Sequence, residues 1–447
     1  MSGALVLIDG EHQPEVIEAH LARMRASGSC PPVVALFLGG FEKTGTVPRL
    51  SVPVLQGPAR QMIPQAVDRF GVTKVLDLSD EPVVDARSRF ALAGYALAAG
   101  VTYSGGGIDM TPPLRPRLTR CPTVAVIGTG KRTGKTSVSI ALARHWKEKR
   151  LEPCIVTMGR GGPDRPLVLS VDGELPESVL DRLLAEGLHA TSDYVEDALF
   201  AGVDTVGTRR LGAGPAGVTV DDDFAAGVAA ATELDPGVVL LEGSGTAIPP
   251  AHADATVLVT SSAIDPEFLD GYFGPFRLAL TDAVVVVGEG TGLSDRIQAV
   301  EPGLPVFTAS LRPDPTTSVE GRQVVVVSTA DASVGPQLLH HLRQLGAAGV
   351  QVIHSLGDRR VLVDELSHLA QHHLVLTEVK GAAAAVVLPL ARAAGAEIGF
   401  IHNQVRMEGG IEELAGLLEE RWTPAPQSTT SRTRRMGSRR IRRRTRS

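Results

Sequence analysis

Short apolar runs alternate with amphipathic stretches along the first quarter of the chain. The pattern predicts strands at 4–9, 32–38, 52–55 and 74–78 and helices at 14–25, 60–70 and 85–99. Strands that alternate with helices indicate a parallel, doubly wound sheet. We therefore predict an N-terminal α/β domain over residues 1–110. The glycines and prolines of 104–118 predict a linker after it.

A second series of apolar runs begins at residue 122 and is rich in β-branched residues. It predicts strands at 122–128, 153–158, 237–243, 255–260, 283–288, 305–310, 323–329, 349–354, 373–378 and 398–403, and helices at 336–347, 381–395 and 410–420. Near-continuous apolar runs are typical of parallel strands covered on both faces. The predicted fold class is thus α/β, with two doubly wound, mostly parallel sheet domains, the second spanning residues 119–421.

The composition of the 447 residues is that of an ordinary globular protein, with 43% hydrophobic and 21% charged residues. Three cysteines lie far apart (Cys30, Cys121 and Cys154), which argues against a disulfide scaffold or a cysteine zinc site. The first residues carry no basic segment, and no apolar stretch approaches the roughly 20 residues of a membrane span. We expect a cytoplasmic protein without a membrane partner.

The charge is unevenly distributed. Nine arginines and no acid fall between Arg432 and Arg446, whereas the whole chain has a formal charge of −6. Such a block predicts a solvated, disordered tail over 422–447. It is either a tether to nucleic acid or a membrane surface, or an extension without a role in the main activity. We favour the extension, because the acidic remainder offers no other basic platform.

The clearest chemical motif is the segment 124–146, in which a predicted strand runs through a glycine-rich turn into a helix. Backbone N–H groups of such a turn can cradle phosphate, Lys135 can reach the β- and γ-phosphates of ATP, and the Thr136 hydroxyl can bind Mg²⁺. The nucleotide-binding residues predicted here are Gly128, Thr129, Gly130, Thr133, Gly134, Lys135, Thr136 and Ser137. The domain over 119–421 is therefore expected to have a P-loop NTPase-like core.

The spacing of this loop departs from the pattern GxxxxGK[ST]. That pattern needs glycine at 129, where Thr129 stands, and Gly128 comes one residue earlier. The longer loop resembles that of dethiobiotin synthetase and related P-loop proteins. Lys131 and Arg132 add two cations inside the loop, either as solvated side chains or, as we favour, as charge for a transferred or substrate phosphate.

Two later strand ends carry acids. Glu242 ends an apolar strand and is followed by Gly243 and Ser244, so a metal-binding or hydrogen-bonding duty is favoured over a surface strand end. Residues 157–166 lie at the end of another strand. There Arg160 suits an anionic substrate, Asp164 is a candidate second Mg²⁺ ligand, and Arg165 is a candidate substrate contact. A plain polar turn is the alternative for this second segment.

Further polar residues follow predicted helices and strands, and their role is open. Asp193, Asp197, Arg209 and Arg210 are equally compatible with a site and with a solvated face. Lys380 follows a late strand and is expected to face a ligand. Asn403 ends the last strand, where it could contact the adenine edge.

Taken together, LIDGEHQPEVI, GTGKRTGKTSVS, TMGRGGP, LLEGSGTAIPP, TEVKGAAA and FIHNQ resemble the cyclic 2,3-diphosphoglycerate synthetase family over residues 3–420. The resemblance implies an ATP-dependent ligase that closes 2,3-diphosphoglycerate into its cyclic phosphoanhydride and releases ADP and phosphate. It implies ATP and Mg²⁺ as cofactors, with Thr136, Glu242 and Asp164 at the metal. Lys135, Lys131, Arg132 and Arg160 would offset the repulsion among phosphates.

The N-terminal domain would supply the substrate side or a homodimer contact. Asp9, Glu11 and His12 stand there at a strand end, and Arg165, Gly243, Ser244 and Lys380 complete the expected substrate residues. Two alternatives stay open: another ATP-dependent ligase of the dethiobiotin synthetase type, and a non-catalytic nucleotide-binding regulator.

Overall fold

The computed structural model describes residues 3–171, 173–188, 192–289, 292–330, 332–381 and 383–422. Of the predicted tail at 422–447, Trp422 alone falls within these ranges. Its ring centroid lies 5.6 Å from that of Trp146. The arginine block lies outside the described residues.

Residues 3–110 form a six-stranded sheet with three helices, here called the N-terminal unit. Its elements are β1 (Gly3–Ile8), α1 (Pro14–Ser27), β2 (Pro32–Phe37), β3 (Val54–Gln56), α2 (Ala59–Phe70), β4 (Val72–Asp77), α3 (Ala86–Ala98), β5 (Thr102–Gly105) and β6 (Ile108–Met110). The strand order is β3-β2-β1-β4-β5-β6, and β6 is antiparallel to β5 while the other pairs are parallel. This is the predicted doubly wound α/β sheet.

The predicted linker over 104–118 is wrong for its first residues. Gly106 and Gly107 both have positive φ, 58° and 78°, and form the two-residue turn of a hairpin between β5 and β6. Such a turn needs φ above zero at both central positions, which glycine adopts without strain. The glycines that suggest a linker therefore build a tight turn.

The second sheet has thirteen strands among the described residues. Its first part runs through β7 (Thr123–Gly128), α4 (Lys135–Glu148), β8 (Pro153–Gly159), β9 (Leu167–Leu169), α5 (Pro176–Ala185), α6 (Asp193–Ala201), β10 (Thr205–Leu211), β11 (Asp221–Asp222), α7 (Phe224–Thr232), β12 (Val238–Glu242), β13 (Ala255–Ser261), α8 (Glu267–Asp270), α9 (Gly274–Ala279), β14 (Ala283–Val287) and α10 (Leu293–Val300). Its second part runs through β15 (Val306–Pro315), β16 (Gln323–Val327), α11 (Gly335–Gln344), β17 (Gly349–Ile353), α12 (Arg359–Glu365), β18 (His373–Thr377), α13 (Leu388–Ala393), β19 (Glu397–Met407) and α14 (Gly410–Glu419).

The strands of this sheet follow the order β11-β10-β8-β12-β7-β13-β14-β15-β19-β18-β16-β17. β7 and its parallel neighbours are buried apolar runs, as their composition predicts. The helices α4 and α14 cover one face, where Leu142, Trp146 and Leu414 belong to one apolar cluster. The core of this part thus lies around the strand that leads into the glycine-rich loop.

A long antiparallel ribbon joins the two halves of this sheet. β14 pairs with β15 up to Ala309, and β18 pairs with β19 up to Phe400. Between these points β15 and β19 pair only with each other, because β19 runs antiparallel to β15. The carboxyl ends of the parallel strands in the two halves therefore face each other across the ribbon.

The N-terminal unit packs against the second sheet through α3 and α9. A Cβ at Gly94 would lie 3.1 Å from Phe276 Cβ, so the two helices approach closely there. The Arg87 guanidinium forms an ion pair with Asp270, which is 2.7 Å from Arg296 Nη1. No helix among the described residues is both long and apolar enough to cross a membrane.

Candidate active site

A cavity of about 1080 Å³ lies where the carboxyl ends of the two half-sheets meet. Its lining comes from the glycine-rich loop and strand ends of the first half, and from the ribbon and strand ends of the second. Seven cationic side chains line it: Lys131, Arg132, Lys135, Arg160, Arg312, Lys380 and Arg406. A concave site with this charge is suited to polyanions.

The glycine-rich loop connects β7 to α4 and places Lys135 at the start of the helix. Gly134 has φ of 96°, a conformation that side chains with a Cβ rarely adopt. Lys135 Nζ donates hydrogen bonds to Gly130 O at 2.7 Å and to Thr133 Oγ1 at 3.4 Å. A Cβ at Gly128 would lie 2.8 Å from this nitrogen, so the first glycine makes room for the lysine.

Lys135 is 7% exposed although it carries a charge. Burial lowers the pKa of Lys135 to about 8, and Glu242 and Asp193 partly oppose that shift. A buried ammonium group with only neutral acceptors is a ready partner for a phosphate oxygen. Among the other predicted loop residues, Thr133 and Ser137 line the cavity. Thr129 lies outside the lining, with its hydroxyl 2.9 Å from that of Thr260.

Thr136 and Glu242 form an oxygen-rich corner beside Lys135. Thr136 Oγ1 donates a hydrogen bond of 2.8 Å to Glu242 Oε1 at the end of β12. Glu242 is 1% exposed, and burial together with the charge of Asp193 raises its pKa to about 7. Its second oxygen, Oε2, is buried without a hydrogen bond of good geometry to the described residues.

These two side chains fit a magnesium ion. Hydroxyl and carboxylate oxygens are the donors that Mg²⁺ prefers, and in nucleotide sites it takes most of its ligands from phosphate and water. The described part of the chain contains no cluster of three His, Cys, Asp or Glu residues arranged for a metal. A protein ligand set as small as Thr136 and Glu242 is therefore compatible only with a phosphate-bound metal.

Asp164 and Arg165 are exposed and lie outside the cavity lining. The acid that does line the cavity beside Glu242 is Asp193, in the first turn of α6. Asp197, one turn later, is completely buried and accepts a hydrogen bond of 2.5 Å from Thr157 Oγ1. Burial, and next the negative charge of Glu242, raise the pKa of Asp197 well above its ordinary value.

Lys380 connects the second half-sheet to α6. Its Nζ lies 2.9 Å from Glu196 Oε2, and Glu196 is 5% exposed. Burial alone would lower the pKa of Lys380, but Glu196, Asp193 and Glu378 raise it above its ordinary value. The ammonium group thus stays charged at the cavity wall.

The opposite wall is the β15–β19 ribbon, on which Asn403 faces the cavity. Asn403 pairs with Pro313 across the ribbon. Leu311, two residues before Pro313 on β15, lies close to Gly134 of the loop. The ribbon therefore borders the phosphate loop on the side of β13 and β14. Arg160 and Ser244 border it on the side of β8 and β12.

The predicted substrate residues of the N-terminal unit lie outside this cavity lining. Asp9 is fully buried, and its carboxylate accepts hydrogen bonds from the Glu11 and Asp80 amides and contacts His12 Nδ1 at 2.8 Å. These contacts tie the end of β1 to the end of β4. Gly243 is likewise enclosed, because a Cβ there would lie 2.6 Å from Ala247 O.

The sequence predictions do not include several residues of the second half of the cavity. Glu378 accepts hydrogen bonds from the Ser328 hydroxyl and from Thr329 Oγ1, the latter at 2.7 Å. Arg312 and Arg406 project from the ribbon. Part of this wall could have been identified from the sequence. Polar residues directly follow β16 and β18, at 328–329 and 378, as they do at the strand ends of the first half.

Comparison with known proteins gives three family models in chain order. Cyclic 2,3-diphosphoglycerate synthetase, N-terminal domain, matches residues 3–111, the P-loop domain of the same family matches 123–304, and its C-terminal domain matches 315–404. The first of these family models covers the sheet of the N-terminal unit. The P-loop and C-terminal models together correspond to the second sheet.

Full-length relatives carry the same name. A cyclic 2,3-diphosphoglycerate synthetase of Rubrobacter xylanophilus is 40% identical over 418 residues, covering 91% of this chain and 94% of that protein. One of Thermococcus kodakarensis is 36% identical over 425 residues, covering 91% and 95%. Among solved structures, ATP-bound LpxK of Aquifex aeolicus matches with a TM-score of 0.42 and 19% identity, covering 69% of this chain and 91% of that one. That likeness is too low to bear on function.

Proposed function

Because the chain belongs to the cyclic 2,3-diphosphoglycerate synthetase family, we propose that it uses ATP to close 2,3-diphosphoglycerate into its cyclic phosphoanhydride. ADP and inorganic phosphate are the other products. The observation that carries this proposal is the cavity between the half-sheets, where a phosphate loop with three cations and four further cations face one volume. A volume of about 1080 Å³ is large enough for a nucleotide and a second small polyanion together.

ATP binds with its β- and γ-phosphates on the loop 128–137. The N–H groups at the start of α4 and Lys135 Nζ hold the phosphate oxygens. The hydrogen bonds that Lys135 makes to Gly130 and Thr133 are then exchanged for charged acceptors. The base lies toward the ribbon, where the Asn403 amide can donate to and accept from the adenine edge.

The reaction divides into two phosphoryl transfers. An oxygen of one substrate phosphate attacks the γ-phosphorus, a new P–O–P bond forms, and the bond to the β-phosphate oxygen breaks to release ADP. An oxygen of the other substrate phosphate then attacks the activated phosphorus attached to the glycerate. That step closes the ring and expels the former γ-phosphate as inorganic phosphate.

The protein's part is to hold like charges together. Lys131, Arg132 and Arg160 offset the repulsion between ATP and the substrate, and Lys380 does so from the opposite half-sheet. The attacking phosphate oxygens are already ionised, so no general base is required. Thr136 and Glu242 would hold a magnesium ion, which supplies charge neutralisation at the β- and γ-phosphates when bound.

The proposal is tested by following ADP release from purified protein with ATP and Mg²⁺. We expect 2,3-diphosphoglycerate to stimulate ADP release, and 2-phosphoglycerate or 3-phosphoglycerate to stimulate it little, because each lacks one of the two phosphates that must join. Equal stimulation by a monophosphate would contradict ring closure and point to a ligase with another acceptor. The predicted homodimer is a separate expectation, which light scattering would measure.

A further inference from the structure

Two arginines from neighbouring strands approach each other at the edge of the cavity. Arg160 directly follows β8, and Arg210 lies in β10, where Arg209 is paired with Gly159. A Cβ at Gly245 would lie 2.6 Å from Arg160 Nη2 and 3.4 Å from Arg210 Nη2, so the two nitrogens are within about 6 Å of each other. Two parallel strands and the turn after β12 thus bring two positive charges to one point.

Among the described residues, neither guanidinium has a carboxylate within ion-pair distance, although the more distant charge of Asp193 acts on Arg210. The ion pairs of the described residues include several arginines, but not Arg160 or Arg210. Arg210 is 9% exposed, and its Nη donors reach neutral acceptors: Gly212 O and Ser244 O, each at 2.7 Å, and the Ser244 hydroxyl at 3.4 Å. Its Nε is buried without a hydrogen-bond partner in the described part of the chain. Burial, and next the charge of Arg160, lower the pKa of Arg210.

We propose that Arg160 and Arg210 form a phosphate subsite for the bisphosphorylated substrate, separate from the nucleotide phosphates. Arg160 lines the cavity and contacts the phosphate directly. Arg210 is a positioning residue, because it holds the Ser244–Gly245 turn by a hydrogen bond and adds a second charge behind Arg160. This inference rests on the proposed function for the identity of the substrate.

The chemistry of the subsite favours a phosphate group. A planar guanidinium presents parallel N–H donors that match two oxygens of a phosphate, and a dianion relieves the repulsion between two adjacent cations. Gly245 has φ of 61° and no side chain, which lets the Arg160 guanidinium lie directly against its backbone. Any larger residue at 245 would collide with Arg160 Nη2.

The position of the subsite separates it from the base of ATP. β8 and β10 lie on one side of β7, whereas the ribbon with Leu311 and Asn403 lies on the other. Lys135, at the start of the helix α4 that follows β7, stands between the two sides. A substrate phosphate held by Arg160 therefore approaches the loop from the side opposite the base, where the γ-phosphate ends.

The test compares Arg160→Gln and Arg210→Gln with Arg209→Gln. Arg209 is adjacent on the same strand but exposed, so its side chain points to the other face. We expect the first two variants to raise the KM for 2,3-diphosphoglycerate at least tenfold with the KM for ATP within twofold of wild type, and Arg209→Gln to change neither. Arg210→Lys should show a smaller increase in the KM for 2,3-diphosphoglycerate than Arg210→Gln. Lysine keeps the positive charge but lacks the planar set of N–H donors of a guanidinium.

Binding of inorganic phosphate to the ADP-loaded protein separates this inference from the proposed function. Loss of phosphate binding in Arg160→Gln but not in Arg209→Gln supports the subsite, even if no cyclic product forms. Wild-type phosphate binding and wild-type KM in Arg160→Gln would overturn it. If Arg210→Gln fails to fold, Gly245→Ala applies the same test, because its methyl group would collide with Arg160 Nη2 and displace that guanidinium; an unchanged KM there would also overturn the inference.

Discussion

Thr136 Oγ1 donates a hydrogen bond of 2.8 Å to Glu242 Oε1 and so joins the first turn of α4 to the end of β12. The two residues are 106 positions apart in the chain. Their contact arises because β7 and β12 are neighbours in a parallel sheet, whose carboxyl ends meet at one edge. It places a hydroxyl and a carboxylate beside the lysine of the glycine-rich loop, which is the arrangement on which the proposed nucleotide chemistry depends.

Removal of the Lys135 ammonium group is expected to abolish turnover. Lys135→Ala takes away the buried cation that meets the β- and γ-phosphates, and the loss should be at least about a hundredfold in kcat. ADP release in the presence of 2,3-diphosphoglycerate measures it. Lys147→Ala, in the last turn of the same helix, is the matched control and should keep wild-type turnover. Full activity of Lys135→Ala would mean that the loop does not hold the reacting phosphates.

The ionisation of Glu242 predicts a pH dependence of stability in metal-free, nucleotide-free protein. Its pKa is raised from 4.5 to about 7 by burial, so between these values the native state holds a proton that the unfolded state releases. The free energy of unfolding contributed by Glu242 is therefore fully present below pH 4.5 and is lost as the pH rises through 7, by up to about 1.4 kcal/mol per pH unit.

Urea unfolding of the wild type and of Glu242→Gln from pH 4.5 to 8 would measure this effect. The glutamine keeps the shape but cannot titrate, so the stability of the wild type relative to the variant should fall over this range. Glu148→Gln, at the exposed end of α4, controls for a simple change of charge. A stability difference that does not vary with pH would show that Glu242 ionises normally in the folded protein.

Asn403 is predicted to select adenine. Asn403→Ala removes a hydrogen-bonding amide worth about 1 kcal/mol, so the KM for ATP should rise roughly five- to tenfold. The preference for ATP over GTP should decrease by a similar factor. Glu397→Ala, at the exposed start of the same strand and outside the cavity lining, should leave both quantities unchanged. Equal nucleotide preference in Asn403→Ala and wild type would place the base elsewhere.

Close packing of α3 on α9 predicts that Gly94 does not tolerate a bulky side chain. The Cβ of Gly94→Leu would lie 3.1 Å from Phe276 Cβ and its branched end would displace the helix, which should lower the free energy of unfolding by about 1–3 kcal/mol. Gly416→Ala is the control, because a methyl group on α14 meets nothing within 4 Å. Thermal melting compares the two; equal melting temperatures would show that the N-terminal unit does not pack on α9 in solution.

Local patterns were sufficient to predict the fold class, most of the N-terminal unit and the segment that contains the glycine-rich loop. The strand β7, the glycine-rich loop and α4 are contiguous, so the sequence from Thr123 to Trp146 contains the whole arrangement. Residues 104–110 show where prediction from local patterns fails. A pair of glycines occurs both in linkers and in hairpin turns, so the sequence does not distinguish the two. Only pairing between β5 and β6 distinguishes the two.

The composition of the cavity depends on contacts that no local pattern contains. Asp164 follows a strand in the expected way, but its loop turns outward, and Asp193 from a later helix lines the cavity instead. Which of Arg209 and Arg210 faces inward depends on the register of β10, which alternation alone cannot fix in a short polar strand. Arg312 and Arg406 join the site because two distant strands pair antiparallel into a ribbon.

Phosphorus NMR of the purified protein with ATP, Mg²⁺ and 2,3-diphosphoglycerate tests ring closure most directly. We predict that the two phosphomonoester signals of the substrate are replaced by an upfield pair typical of a phosphoanhydride, with ADP and inorganic phosphate formed in equal amounts. ADP formation with both substrate signals unchanged would contradict the cyclisation.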